Sequence, residues 1–190
     1  MNKWLKYQKN TPIRLLRLRG LYVIMRTVSD LIFNPYFFVE QALAQVKANQ
    51  YSQEMMEGKG CTANVLMVVN NMLVCANAGD SRCVAAEGGR AVPLSFDHKP
   101  TNKKERERIY KAGSTVNVEG RIDGNLNLSR AIGDIAHKKN TKLPLQDQAV
   151  TSMPDVKIHQ LTNKTDFIIM GCDGIWETKT SQQIVDYVYI

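Results

Sequence analysis

The stretch that most constrains this chain is Phe167-Ile168-Ile169-Met170-Gly171-Cys172-Asp173-Gly174-Ile175-Trp176-Glu177. Four large apolar residues, bounded by Asp166 and Gly171, read as a short strand buried on both faces. A carboxylate follows where that strand runs out. Gly174 permits a turn that a side chain would obstruct, and if the chain coils after it, Glu177 returns toward the face that Asp173 occupies. Two acids at a strand exit invite a hard cation. The competing reading is that Asp173 caps the following turn through its own side chain.

The strands that such an element needs lie upstream. Ala63 to Val69 is a β-type run, Asn70-Asn71 supplies residues that tolerate positive φ, and Met72 to Ala76 returns, which predicts an antiparallel hairpin. Cys83 to Ala86 and Arg90 to Pro93, joined across Glu87-Gly88-Gly89, predict a second. Gly79-Asp80-Ser81-Arg82 interrupts the chain between them.

Beyond Asp97-His98-Lys99-Pro100 a short exposed helix is predicted, capped by Asn102 with Glu105 reaching back and stopped at Gly113. Its charges read as a solvated face. Val116 to Val118 follows, and Gly120 to Gly124 reads as a turn. Residues 135 to 154 read as loop, Val156 to Ile158 as a strand, and Thr180 with Gln183 as the capping box of a final helix.

Residues 1 to 50 stay unassigned as a basic leader followed by an amphipathic helix. Lys3, Lys6, Lys9, Arg14, Arg17, Arg19 and Arg26 fall in residues 1 to 29 with no acid among them, so the remaining chain balances 18 basic against 18 acidic residues. The net charge of +7 therefore says little about a substrate. A basic surface helix or an unstructured leader fits this opening, and a mitochondrial presequence is the minor alternative. After Pro35 the spacing of Phe38, Ala42, Leu43 and Val46 predicts a helix over 37–48.

Several classes are excluded. No basic stripe interleaved with aromatics supports nucleic-acid binding, no uncharged apolar run is long enough to span a membrane, and no phosphate-binding Gly-x-x-x-x-Gly-Lys-Ser/Thr loop supports a nucleotide hydrolase. Cys61, Cys75, Cys83 and Cys172 lack Cys-x-x-Cys spacing and read as buried free thiols of a reducing compartment, cytoplasmic or nuclear. With 190 residues, 44% of them hydrophobic, one domain with its own core suffices.

Taken together and in order, six motifs carry a resemblance: Gly60-Cys61-Thr62-Ala63, Ala78-Gly79-Asp80-Ser81-Arg82, Asp97-His98-Lys99-Pro100, Glu107-Arg108-Ile109 running to Ala112-Gly113, Leu128-Ser129-Arg130-Ala131-Ile132-Gly133-Asp134, and Cys172-Asp173-Gly174-Ile175-Trp176-Glu177. The region 58–190 resembles part of the domain of the metal-dependent type 2C protein serine/threonine phosphatases. That resemblance implies an α+β fold, an α-β-β-α sandwich of two mostly antiparallel sheets, here incomplete. It also implies a Mn²⁺ or Mg²⁺ pair in a cleft at one end, acting on phosphoserine or phosphothreonine proteins. Metals lower the pKa of water and offset charge on phosphoryl oxygens.

By the same resemblance Asp173 matches a carboxylate of the core metal pair and Asp80 a ligand of an additional, weaker site. Glu177 stands where the family often has aspartate. Arg82 and Arg130 are expected to pin loops rather than touch substrate. The family's early acidic pair, its Asp-Gly-His-Gly-Gly motif and its phosphate-binding arginine have no match in residues 1–57, and its late aspartate before an asparagine is also missing. The expectation is a fragment with impaired or no activity alone, marginally stable because strand edges stay uncovered. The alternative is a catalytically silent binding module of phosphatase shape.

Overall fold

The computed structural model describes residues 58–69 and 71–190, together with the backbone of two earlier strands. Those strands, β1 (Arg14–Leu18) and β2 (Leu21–Met25), pair antiparallel with Leu18 opposite Leu21. These two strands stand within the stretch read as a basic helix or leader, in keeping with the strand propensity of Tyr22, Val23 and Ile24. The helix expected over 37–48 lies outside the described residues.

The body is built from two three-stranded antiparallel sheets. One has β4 (Ala63–Val69), β5 (Met72–Ala78) and β9 (Asp155–Gln160) in the order β4-β5-β9. The other has β6 (Arg82–Glu87), β7 (Arg90–Pro93) and β10 (Thr165–Gly171) in the order β10-β6-β7. A minor pair joins β3 (Gly60–Cys61) to β8 (Ile132–Gly133). Both expected hairpins are present. Asn71 takes φ +59°, while Gly88 and Gly89 at +54° and +78° give the β6–β7 turn the two positive φ angles that match strand twist.

Strand alternation decides what each sheet buries. Leu73 and Cys75 of β5 meet Cys83 and Ala85 of β6, and Leu94 completes this inter-sheet core with Leu66, Val92, Leu161 and Ile168 packed around it. The intervening β6 residues, Val84 and Ala86, face the other way. They pack against Trp176 and Val185 from α2 (Asp173–Trp176) and α3 (Ser181–Val188). Because β6 is central and covered on both faces, Cys83 to Ala86 read as a continuous apolar run. Removing a side chain as fully buried as Leu73 or Leu94 costs roughly 2–5 kcal/mol.

The run Phe167–Met170 behaves differently from the expectation. Among the described residues its strand, β10, lies at the edge of its sheet, and Phe167, Ile168 and Ile169 are half-buried while Met170 is exposed. A bulge at Asp166 shifts its register, and the Asp166 carboxylate then accepts from the Gly88 amide at 3.1 Å.

The helix α1 (Lys103–Lys111) ends as expected. Gly113, at φ +92°, donates to the Tyr110 carbonyl at 3.0 Å and Ser114 to that of Ile109 at 3.1 Å, the paired bonds of a left-handed stop. Its start differs, because Asn102 makes no side-chain cap and Glu105 does not reach back. Glu105 is buried instead, beside a core of Ile109, Ile122, Ala131 and Val150. At α3 the expected capping box is complete: Thr180 Oγ1 accepts from the Gln183 amide at 3.2 Å and Gln183 Oε1 from the Thr180 amide at 2.9 Å. Val116 bridges Ile122 and packs against the core that holds Ile109 and Ile122.

Cys75 and Cys83 are buried free thiols as expected, but Cys61 and Cys172 are exposed. Cys61 sits on a two-residue strand and Cys172 just past the end of β10.

Candidate metal centre

The β6–β10 ladder determines where the candidate carboxylates emerge. Its last pair is Arg82 with Gly171. Continued by two residues, the same register sets Asp80, just before β6, against Asp173, just after β10. The sequence therefore delivers both acids to one end of one strand pair, although they are 93 positions apart in the chain.

Past Gly171 the chain passes through Cys172 in extended conformation and coils at once from Asp173. The Glu177 amide donates to the Asp173 carbonyl at 2.8 Å, so the two carboxylates stand one helical turn apart. Coiling begins at Asp173, two residues before the start after Gly174 that the sequence suggested. Gly174 lies inside this helix, and a Cβ there would meet nothing within 4 Å. Its value is open space beside Asp173 rather than a turn that only glycine can make. Trp176 Nε1 donates to the Gly171 carbonyl at 2.7 Å, tying helix to strand.

No hydrogen bond or ion pair engages the Asp173 or Glu177 carboxylate among the described residues, and Asp173 is half-buried while Glu177 is exposed. This excludes the turn-capping reading for the Asp173 side chain. Two oxygen-donor groups on successive turns fit a share of a Mg²⁺ or Mn²⁺ shell. Asp80 fits less directly. It is only 4% exposed, and the Lys99 ammonium is paired with it. Among the described residues no group of three or more His, Cys, Asp or Glu side chains is disposed to hold a metal ion. Asp173 and Glu177 are brought together, and Asp80 is held at the same sheet end by a different cation.

The loops around these acids are fixed by charge-assisted hydrogen bonds. Arg82 forks onto Asp97, with Nε to Oδ1 at 2.9 Å and Nη2 to Oδ2 at 2.8 Å. Its remaining Nη1 donates to Ser181 Oγ at 3.0 Å. Its guanidinium also lies 5.1 Å from the Trp176 ring centroid, so one side chain ties β6, the Asp97 loop, α2 and α3 together. Thr62 Oγ1 meets Ser81 Oγ at 2.7 Å, and the Gly79 amide donates to His98 Nδ1 at 3.1 Å.

A second network lies beneath. Arg130 binds Glu105 at 2.6 Å, Asp155 at 2.8 Å and the Met153 carbonyl at 2.9 Å. Arg108 and Ser129 complete the shell of Glu105 at 2.7 and 2.6 Å. Burial alone would raise the Glu105 pKa, but the Arg130 hydrogen bonds, the Arg108 charge and the Ser129 hydroxyl outweigh it and hold it at about 2. Hydrogen bonding from His98, reinforced by Arg130, keeps Asp155 well below the usual carboxylate range. Both arginines thus pin loops, as the sequence suggested. Three partners were not singled out in the sequence: Lys99 for Asp80, Asp97 for Arg82 and Glu105 for Arg130. The only local signal was the clustering of Asp97 and Lys99 in one tetrapeptide.

The sequence profile described as "Protein phosphatase 2C" matches residues 33–189. The chain belongs to the protein phosphatase 2C family. A relative from Oryza sativa subsp. japonica named "Probable protein phosphatase 2C 11" is 52% identical over 130 residues, covering 68% of this chain and 36% of that protein. The chain accordingly spans about a third of the length of that relative.

Among solved structures of similar shape is one described as the crystal structure of a phosphatase from a pathogenic strain of Toxoplasma gondii. It is 36% identical with a TM-score of 0.57 over 60% of this chain and 36% of that one. A C. elegans sex determining protein gives a TM-score of 0.70 over 85% of this chain and 38% of its own at 21% identity, a likeness of fold alone. The α+β architecture with antiparallel sheets is therefore that of the protein phosphatase 2C family. Among the described residues a helical layer covers the outer face of the β10-β6-β7 sheet.

Proposed function

We propose that this chain is part of a metal-dependent protein serine/threonine phosphatase acting on phosphoserine and phosphothreonine proteins with Mn²⁺ or Mg²⁺. The observation that carries this reading is the pair Asp173 and Glu177, without other partners among the described residues and one helical turn apart at the end of β10. When bound, a divalent cation supplies Lewis acidity toward a phosphoryl oxygen and an activated water. The chain's own contribution is to present the two carboxylates on α2, whose position is fixed by Trp176 on Gly171 and by Arg82 stacked on Trp176.

Asp80 belongs to an additional, weaker site. Its weakness follows from Lys99, whose ammonium must leave before the carboxylate can take a metal. The four free thiols, two of them exposed, suit a reducing compartment, the cytoplasm or nucleus.

The decisive experiment is turnover of a phosphoserine peptide with and without Mn²⁺, repeated with Asp173→Ala. Metal-dependent release of phosphate, lost in the variant, supports the reading. A second reading, a catalytically silent binding module of phosphatase shape, is favoured by one observation, namely that the described residues hold two free carboxylates here and not three. It requires peptide binding without turnover in the same assay.

A further inference from the structure

Glu177 faces more than the metal centre. With Arg82, Trp176, Lys179, Thr180 and Ser181 it lines an open cavity of about 480 Å³ between the start of β6 and the α2–α3 connection. Its polar groups are unevenly balanced. Thr180 Oγ1 already accepts from the Gln183 amide, and Ser181 Oγ already accepts from Arg82, so the hydroxyl hydrogens of both are available to donate. Among the described residues the Lys179 ammonium has no ion-pair or hydrogen-bond partner. Against these donors the only carboxylate among the described lining residues is Glu177, the group offered to the metal. A cavity with surplus donors and an unpaired cation favours an anionic occupant.

Position narrows what that occupant is. Glu177 stands one helical turn, about 5.4 Å, from Asp173. An extended peptide advances about 3.3 Å per residue, so a side chain about two residues from a phosphoserine at the metal centre reaches the cavity. We propose that this cavity is a subsite for an acidic side chain flanking the phosphorylated residue, with Lys179 as its charge partner and Thr180 and Ser181 as its hydrogen-bond donors. This assignment rests on the phosphatase reading for the identity of the peptide, but not for the binding itself.

The test is binding without metal. In a Trp4→Phe background Trp176 is the sole indole, and it forms a wall of the cavity. Its fluorescence is followed during titration with phosphoserine peptides carrying Glu or Gln two positions away, on either side in separate peptides. The Glu peptide of at least one series should bind about fivefold more tightly than its Gln counterpart, the scale of one solvent-accessible ion pair. The ratio should fall to about one in Lys179→Ala and invert in Lys179→Glu. Equal affinities in the parent, or a ratio that survives Lys179→Ala, would overturn the subsite. Phosphate release with Mn²⁺ is scored separately on the same peptides. Discrimination without turnover leaves the subsite standing and counts only against unaided phosphatase activity of this chain, and turnover without discrimination counts against the subsite alone.

Discussion

The Lys99 ammonium closes on the Asp80 carboxylate, which is 4% exposed, from a loop nineteen residues downstream. A buried carboxylate needs either a counter-ion or a proton, and here a lysine supplies the charge that a metal would otherwise supply. Two consequences of opposite sign follow for one substitution. Lys99→Met should destabilise the fold by about 2 kcal/mol, less than for a fully buried pair because Lys99 keeps contact with water. It should also free Asp80 and tighten Mn²⁺ binding about fivefold, the effect of removing a repulsion of about 1 kcal/mol. Thermal melts and Mn²⁺ titration of the same protein read both. A loss of stability without any gain in metal affinity would remove Asp80 from the metal site.

The buried Glu105 makes stability depend on acid. Its pKa falls from 4.5 to about 2 on folding. A depressed carboxylate stabilises the fold above its unfolded pKa and ceases to do so as pH falls through its folded one. The contribution, about 3 kcal/mol, is full at pH 7 and is lost progressively between pH 4.5 and 2. Urea midpoints should therefore drop steeply across that window. Glu105→Gln should lower stability at pH 7 by about 3 kcal/mol, since Arg130 and Arg108 lose their partner, and should flatten the acid limb. Asp155 contributes little to that limb because its side chain is 67% exposed. An acid limb unchanged in Glu105→Gln would place its origin elsewhere.

Glu105 also marks the limit of local reading. The spacing Asn102-x-x-Glu105 matches a capping box, and only Arg130, twenty-five residues away, outcompetes that role. The capping box at Thr180 and Gln183 is legible because both of its bonds are local and no described residue competes for them. The same contrast separates the strands. Gly88-Gly89 dictates its hairpin locally, whereas burial of Phe167–Met170 depends on strand order, which places β10 at an edge. At the site, Asp173 and Glu177 could be read from their spacing. The convergence of Asp80 on the same sheet end could not, since it depends on the β6–β10 register.

Lys138 carries a cost that the fold tolerates. It is 5% exposed, and its Nζ donates to the Ala131 carbonyl at 2.7 Å. Burial pushes its pKa down to about 8, against an opposing pull from Asp134. The folded protein then binds fewer protons than the unfolded chain between pH 8 and 10.5, so this group makes stability rise with pH across that interval. Lys138→Met should flatten the rise. At pH 7 it should change stability by no more than about 1 kcal/mol, because relief of the buried charge offsets the lost hydrogen bond. Chemical denaturation at pH 7, 9 and 10.5 checks both statements, and a steeper rise in the variant would contradict them.

Asp173 and Glu177 should separate metal affinity from stability. Among the described residues the Asp173 side chain makes no hydrogen bond that holds α2, and the helix is closed by the Asp173 carbonyl and the Glu177 amide instead. Asp173→Ala should therefore shift stability by less than about 1 kcal/mol, the scale of a carboxylate at a helix start. Metal binding should respond far more. Two carboxylates without a third predict a Mn²⁺ dissociation constant on the order of millimolar. Losing the half-buried one should weaken it about tenfold, while Glu177→Gln, at the exposed position, should weaken it less. Water-proton relaxation in Mn²⁺ titrations gives the affinities and thermal melts the stability. Equal affinity in Asp173→Ala and the parent would place the cation away from α2.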